Sequence, residues 1–162
     1  MKKIPNSVKD HISNANYYLD ATKPFPSPKC DAVRVLLLLT AWENIKIAEE
    51  ELHSWAQQTK PAEELYKSHA YKFRDVRKSK SIDRIIILSS GTAKTITYAT
   101  GTRLGKLIEI CRYGLNGGEK ELASIFSKGW YSDDFERSLV SKIKWEETMV
   151  KIYEKLPNYG KG

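Results

Sequence analysis

The stretch Tyr66-Lys67-Ser68-His69-Ala70-Tyr71-Lys72-Phe73-Arg74 sets one histidine among three cations. A neutral imidazole in a basic groove can take the proton from a ribose 2′-hydroxyl, while an ammonium or guanidinium steadies the charge that builds on phosphorus. That chemistry is metal-independent RNA cleavage. It would make His69 the general base, with Lys72 and Arg112 as charge stabilisers. A plainer role competes, in which His69 hydrogen-bonds across to Glu43 or Glu50 on a neighbouring helix. On residue spacing alone, that is the commoner use of such a histidine.

A second polar group, Glu43, Lys46, Glu49 and Glu50, recurs at helical intervals. Pairs from Glu43 to Lys46 and from Lys46 to Glu50 stand three and four residues apart, and surface ion pairs account for them. The functional alternative turns Glu43 or Lys46 inward against His69. Tyr66, Tyr71, Tyr98 and Tyr113 alternate with basic residues. They suit base stacking, although packing is the more frequent use of tyrosine.

The charge distribution leans the same way. Between Tyr66 and Arg112 there are 11 Lys and Arg against three acids, which is +8, whereas the whole chain of 162 residues carries +7. The excess therefore sits in the middle segment. Concentrated positive charge favours a polyanionic partner such as RNA, and a solvated basic surface is the bland alternative.

Several classes are disfavoured. The chain has no Gly-rich phosphate loop, no His-Glu-x-x-His and no Gly-x-Ser-x-Gly elbow. Three scattered histidines predict no metal site, and no cofactor motif is present. Cys30 and Cys111 fall in apolar helical pattern and read as core thiols. Nothing at the N-terminus resembles a signal peptide, and the longest apolar run is too short to span a bilayer. The expectation is a cytoplasmic protein with no membrane partner.

The elements that must position these residues are helical. The longest predicted helix runs from about Cys30 to Gln57. Its dense run from Val33 to Leu39 is broken only by Arg34, and Trp42, Ile45, Ala48, Leu52 and Trp55 follow at steps of three or four. A first helix with Val8, Ile12, Ala15 and Leu19 on one face should be capped by Asn6 or Ser7. Pro24, Pro26 and Pro28 then form a stiff connection. Pro61 suits the first turn of a third helix carrying Leu65, His69, Phe73 and Val76 on one face. Residues 81–102 fit either a helix or two short strands, and the helical neighbours favour helix. Leu104, Leu107, Ile108 and Cys111 mark another helix, and Leu122, Ile125 and Phe126 a short one. A last helix, capped by Ser132 or Asp133, carries Phe135, Leu139, Ile143, Val150 and Tyr153. The expected architecture is all-α. It is a single domain over 1–162, a helical bundle of five or more helices with its core at about 8–156 and a flexible tail at 157–162.

Two of these stretches, with a third later in the chain, carry a resemblance. Ala41-Trp42-Glu43-Asn44-Ile45-Lys46-Ile47-Ala48-Glu49 resembles the A-x-E-E-x-x-K-A helix of the abortive-infection AbiV family, within the HEPN-like helical superfamily, with Asn44 in place of one acid. Lys67-Ser68-His69-Ala70-Tyr71-Lys72 resembles that family's S-H-x-x-K on the following helix. Ile110-Cys111-Arg112-Tyr113-Gly114 is similar to its Arg/Tyr segment before a loop. The resemblance implies a HEPN-like bundle, often dimeric, in prokaryotic defence against phage. Many HEPN domains are metal-independent ribonucleases in which an arginine precedes the histidine by a few residues. Here the neighbouring arginine, Arg74, follows His69 instead.

The expected site is thus catalytic His69, Lys72 and Glu43, with Lys46, Lys67, Arg74, Arg77, Arg112 and Tyr113 contacting RNA and no metal. The expected partners are RNA or a ribosome-associated factor and a second copy of the chain. The competing function is a non-enzymatic interaction module that dimerises through the central helix and Trp42/Trp55.

Overall fold

The computed structural model describes residues 3–25, 32–73, 108, 112 and 132–156. Every element among them is a helix, so the all-α expectation holds. In chain order these are α1 (Asn6–Asp20), α2 (Ala32–Gln57), α3 (Glu64–Lys67), α4 (His69–Lys72) and α5 (Ser132–Glu154). Ile108 and Arg112 are also helical. The stretches predicted at 81–102 and 119–126, the three-proline connection from Pro26 onward, both cysteines and the tail lie outside the described residues.

α2 is the axis of the molecule, and α1, α4 and α5 all pack against it. This explains why its first half is apolar nearly all round. Leu38, Leu39, Ala41, Trp42, Ile45, Ala48 and Leu52 are buried along it. α1 contributes Val8, Ile12 and Ala15, and α5 contributes Phe135, Leu139, Ile143 and Val150. The Trp42 and Phe135 rings meet at 5.5 Å. Trp55 packs edge-on to Tyr153 at 5.3 Å.

Arg34, the one interruption in the apolar run, is itself buried. Its guanidinium donates to the carbonyls of Thr22 at 3.3 Å and Phe25 at 2.9 Å and to Glu136 at 2.5 Å. A buried cation is tolerated when its donors are matched in this way. Arg34 ties the turn after α1 and the start of α5 to α2.

Three local expectations are corrected. Pro5, with ψ 139°, occupies the N-cap of α1 and no side chain caps it. The Ser7 hydroxyl donates instead to Glu51 on α2, at 2.6 Å. The predicted third helix is two single turns, because Ser68 between them is extended at φ −121° and ψ 119°. Its hydroxyl accepts from the Tyr71 N–H at 3.1 Å, which makes Ser68 the N-cap of α4. Pro61 precedes both turns rather than opening one. Finally, Glu43 and Lys46 on the supposed polar face of α2 are buried.

α2 ends in a Schellman motif. The Gln58 N–H bonds the Trp55 carbonyl at 3.2 Å, and the Thr59 N–H bonds the Ser54 carbonyl at 2.9 Å. Gln58 therefore sits at φ 57°, a left-handed conformation that costs a residue with a Cβ about 1–2 kcal/mol and glycine far less. Gln58→Gly should raise stability by about 0.5–1 kcal/mol after glycine's larger unfolded-state entropy is counted. A thermal melt checks this, and an unchanged or lowered Tm would contradict it.

Candidate functional site

Glu43 lies in the middle of α2, with its side chain turned toward α4. It is 5% exposed. One carboxylate oxygen, Oε2, lies 2.5 Å from His69 Nδ1 and 3.4 Å from Lys72 Nζ. The other, Oε1, lies 3.5 Å from the Arg112 guanidinium. Three basic side chains, two from α4 and one from a segment 40 residues further on, thus converge on one buried acid. Arg112 also reaches the Thr40 hydroxyl one turn earlier on α2, at 3.5 Å.

Single-turn helices are not stable alone, so α4 must be held from outside. Ser68 caps its start. Trp42 on α2 donates its indole N–H to the Lys72 carbonyl at 3.0 Å, fixing its end. Leu65 and Phe73 anchor the two sides of the segment in the interior. Lys72 adds a bond from Nζ to the Leu65 carbonyl, at 3.2 Å. The break at Ser68 lets the chain turn so that His69 and Lys72 both face Glu43.

The four groups differ in access. Lys72 is nearly enclosed, with its side chain 8% exposed, and its ammonium is taken up by Glu43 and Leu65. Its ammonium is thus directed to Glu43 and the Leu65 carbonyl rather than to the surface where a substrate would lie. His69 and Arg112 have side chains 26% and 32% exposed. With Nδ1 bound to Glu43, the His69 Nε2 makes no hydrogen bond among the described residues. A carboxylate on one ring nitrogen fixes the tautomer and orients the other nitrogen as a base. The arrangement can accept a proton at Nε2 beside a guanidinium.

Other expected contacts fall elsewhere. Lys46 is 2% exposed and bonds Glu49 at 2.5 Å. At that exposure it is no part of an open basic surface. Lys67 is on the surface, 3.5 Å from Glu63. Arg74, Arg77 and Tyr113 lie outside the described residues. Asn44, where the resembling helix has an acid, faces α1, and its amide oxygen lies 2.9 Å from His11 Nδ1. Trp42 is in the core rather than on a dimer face.

Sequence reading missed a second polar cluster where α2 meets α5. Glu49 accepts from Lys46 at 2.5 Å and from Lys142 at 2.7 Å, and Glu146 is buried close by. Lys142 also sits over the Trp42 ring, 5.9 Å from its centroid. Burial alone would raise the Glu49 carboxyl, but the hydrogen bonds from Lys142 and Lys46 outweigh it and hold Glu49 below the usual value. Burial, and then the Glu49 charge, push Glu146 up to about 7. The only available signal was the spacing of Glu146 with Ile143 and Val150, which puts it on the buried face of α5. Beside the cluster a cavity of about 390 Å³ opens between α2 and the segment after it, lined by Lys46, Glu49, His53, Lys60 and Tyr71 among others.

Among the described residues no group of three or more His, Cys, Asp or Glu is placed to hold a metal ion. No protein family, curated protein or solved structure matches the chain.

The Glu146 proton is held more tightly in the folded chain than in the unfolded one, where the carboxyl titrates near 4.5. Its contribution is therefore full below about 4.5 and is lost as pH rises toward about 7. The lowered Glu49 acts in another window, losing its contribution only as pH falls below its ordinary value. The Tm of the native protein should thus fall relative to that of Glu146→Gln between about pH 5 and 7. Parallel Tm curves for the two proteins over that range would contradict this origin of the shift.

Proposed function

We propose that this protein is a HEPN/AbiV-like prokaryotic defence protein, of the abortive-infection type, acting on RNA or the translation apparatus. The observation that carries the proposal is the convergence of His69, Lys72 and Arg112 on the buried Glu43 carboxylate. The two sequence stretches that carry the AbiV resemblance meet at that point. The basic segment that follows supplies attraction for a polyanion.

In the proposed reaction His69 Nε2 removes the proton from a ribose 2′-hydroxyl. The 2′-oxygen attacks the adjacent phosphorus and the bond to the 5′-oxygen breaks. The products are a 2′,3′-cyclic phosphate end and a 5′-hydroxyl end, with the leaving oxygen protonated by water or by the imidazolium. Arg112 is the cation with access to the developing phosphorane charge. Glu43 orients the imidazole and stabilises it once protonated. Lys72 is a positioning residue. This division departs from ribonucleases in which arginine and histidine share one short motif, because here the guanidinium comes from a separate helical segment.

The test is cleavage of RNA by the purified protein in EDTA. Wild type should cut and leave cyclic phosphate ends. His69→Ala should lose at least about a hundredfold in rate, the usual contribution of a general base. Arg112→Lys should retain more activity than Arg112→Ala. Cleavage unaffected by His69→Ala would remove the assignment. Salt-sensitive binding without cleavage by the wild type would leave an RNA-binding protein and retire the catalytic roles.

A further inference from the structure

The bundle leaves one face of α5 uncovered. Trp145, Ile152 and Leu156 are 63%, 48% and 40% exposed, and they stand at steps of seven and four, one stripe of a helix. Each is directly preceded by an exposed lysine: Lys144, Lys151 and Lys155. Lys155 and Leu156 follow the helix in a final turn, their N–H groups bonded to the carbonyls of Ile152 and Tyr153. Two parallel rows result, one apolar and one cationic, over roughly 17 Å.

Among the described residues no acid is paired with the cationic row. Glu146 is buried. Glu147 accepts from Asn16 on α1 at 2.9 Å, and Glu154 pairs with Lys9. Among the described residues the three lysines form no ion pair, and the Trp145 indole is 63% exposed.

We propose that this face of α5 docks on an anionic phospholipid surface, with Trp145, Ile152 and Leu156 entering the headgroup region and Lys144, Lys151 and Lys155 on the lipid phosphates. Charge complementarity points to an anionic occupant, and the apolar row decides which one. RNA would use the lysines and could stack on Trp145, but it offers nothing to Ile152 or Leu156. An acidic peptide helix would need a groove, whereas this face is a single convex ridge. Two copies paired antiparallel about the stripe would set lysine against lysine. A lipid interface takes a convex ridge, buries aliphatic groups and accepts indole at headgroup depth. Lysine stems lie along the apolar row while their ammonium groups remain wet. No helix among the described residues is long and apolar enough to cross a membrane, so the contact is with the surface alone. The sequence expectation of no membrane partner rested on the lack of a spanning run and did not consider this face.

Sedimentation of the full chain with vesicles tests the proposal, using phosphatidylcholine alone beside phosphatidylcholine mixed with phosphatidylglycerol. The protein should bind the mixed vesicles, lose binding as salt rises, and ignore the neutral ones. Trp145→Ala should weaken binding about tenfold. The combined Lys144→Glu, Lys151→Glu, Lys155→Glu variant should weaken it about a hundredfold or more. These residues are exposed, so circular dichroism should show both variants folded. No binding to the mixed vesicles would overturn the proposal, as would equal binding to both vesicle types or binding unchanged in the triple variant. Self-association abolished by Trp145→Ala in the absence of lipid would likewise overturn it, in favour of a second copy. RNA affinity lost in the triple variant without vesicle binding would do so in favour of nucleic acid.

Discussion

A carboxylate removed from water is stable only when its charge is met, and Glu43 is met from three directions. His69 and Lys72 come from the single turn α4, and Arg112 from a distant helical segment. Neither of those pieces is long enough, as described, to hold its place by helix propensity. The buried charge gives them a common target. It also sets a constraint, since removing either side of a buried pair leaves an uncompensated charge. The Trp42 bond to the Lys72 carbonyl and the Ser68 cap work toward the same end. They hold α4 at the angle from which His69 and Lys72 reach Glu43 together.

The rest of the bundle can be understood as the support for that arrangement. α2 needs contact on several sides to remain straight and dry around Glu43, and α1 and α5 supply it. Each is fastened by polar bonds as well as apolar packing. Ser7 and His11 of α1 reach Glu51 and Asn44, while Lys142 of α5 reaches Glu49. Arg34 ties the start of α5 and the turn after α1 to the first turns of α2. Charge has thus been moved inside at Arg34, Glu43, Lys46, Lys72 and Glu146, each within packed helical contacts.

The helices were legible in the sequence wherever apolar residues repeat at three and four. Val8, Ile12 and Ala15 marked α1, and Phe135, Leu139 and Ile143 marked α5, because periodicity follows directly from burial on one face. The proximity of Glu43 and His69 was also expressed in the sequence as one possible pairing. What the pairing does was not, because a structural hydrogen bond and an oriented base share the same residues. The break at Ser68 escaped notice because its cause is a serine hydroxyl competing for a backbone N–H, which periodicity does not register. Lys46 is expected inward only against His69, and the burial of Glu146 escaped notice, because polar residues are placed outside by default. Only the contact of α2 with α5 shows that the surrounding charges allow them inside. Gln58 carries no glycine signal although its backbone is left-handed.

The most direct measurement is a double-mutant cycle on the buried pair, using urea unfolding of wild type, Glu43→Gln, Lys72→Met and the double variant. If Glu43 is the acid that balances the enclosed lysine, each single change should cost about 3 kcal/mol or more. The double variant, which removes both charges, should cost clearly less than the two losses combined. Additivity within about 0.5 kcal/mol would mean the two groups do not depend on one another, and would contradict the account of Glu43 as the centre of the site.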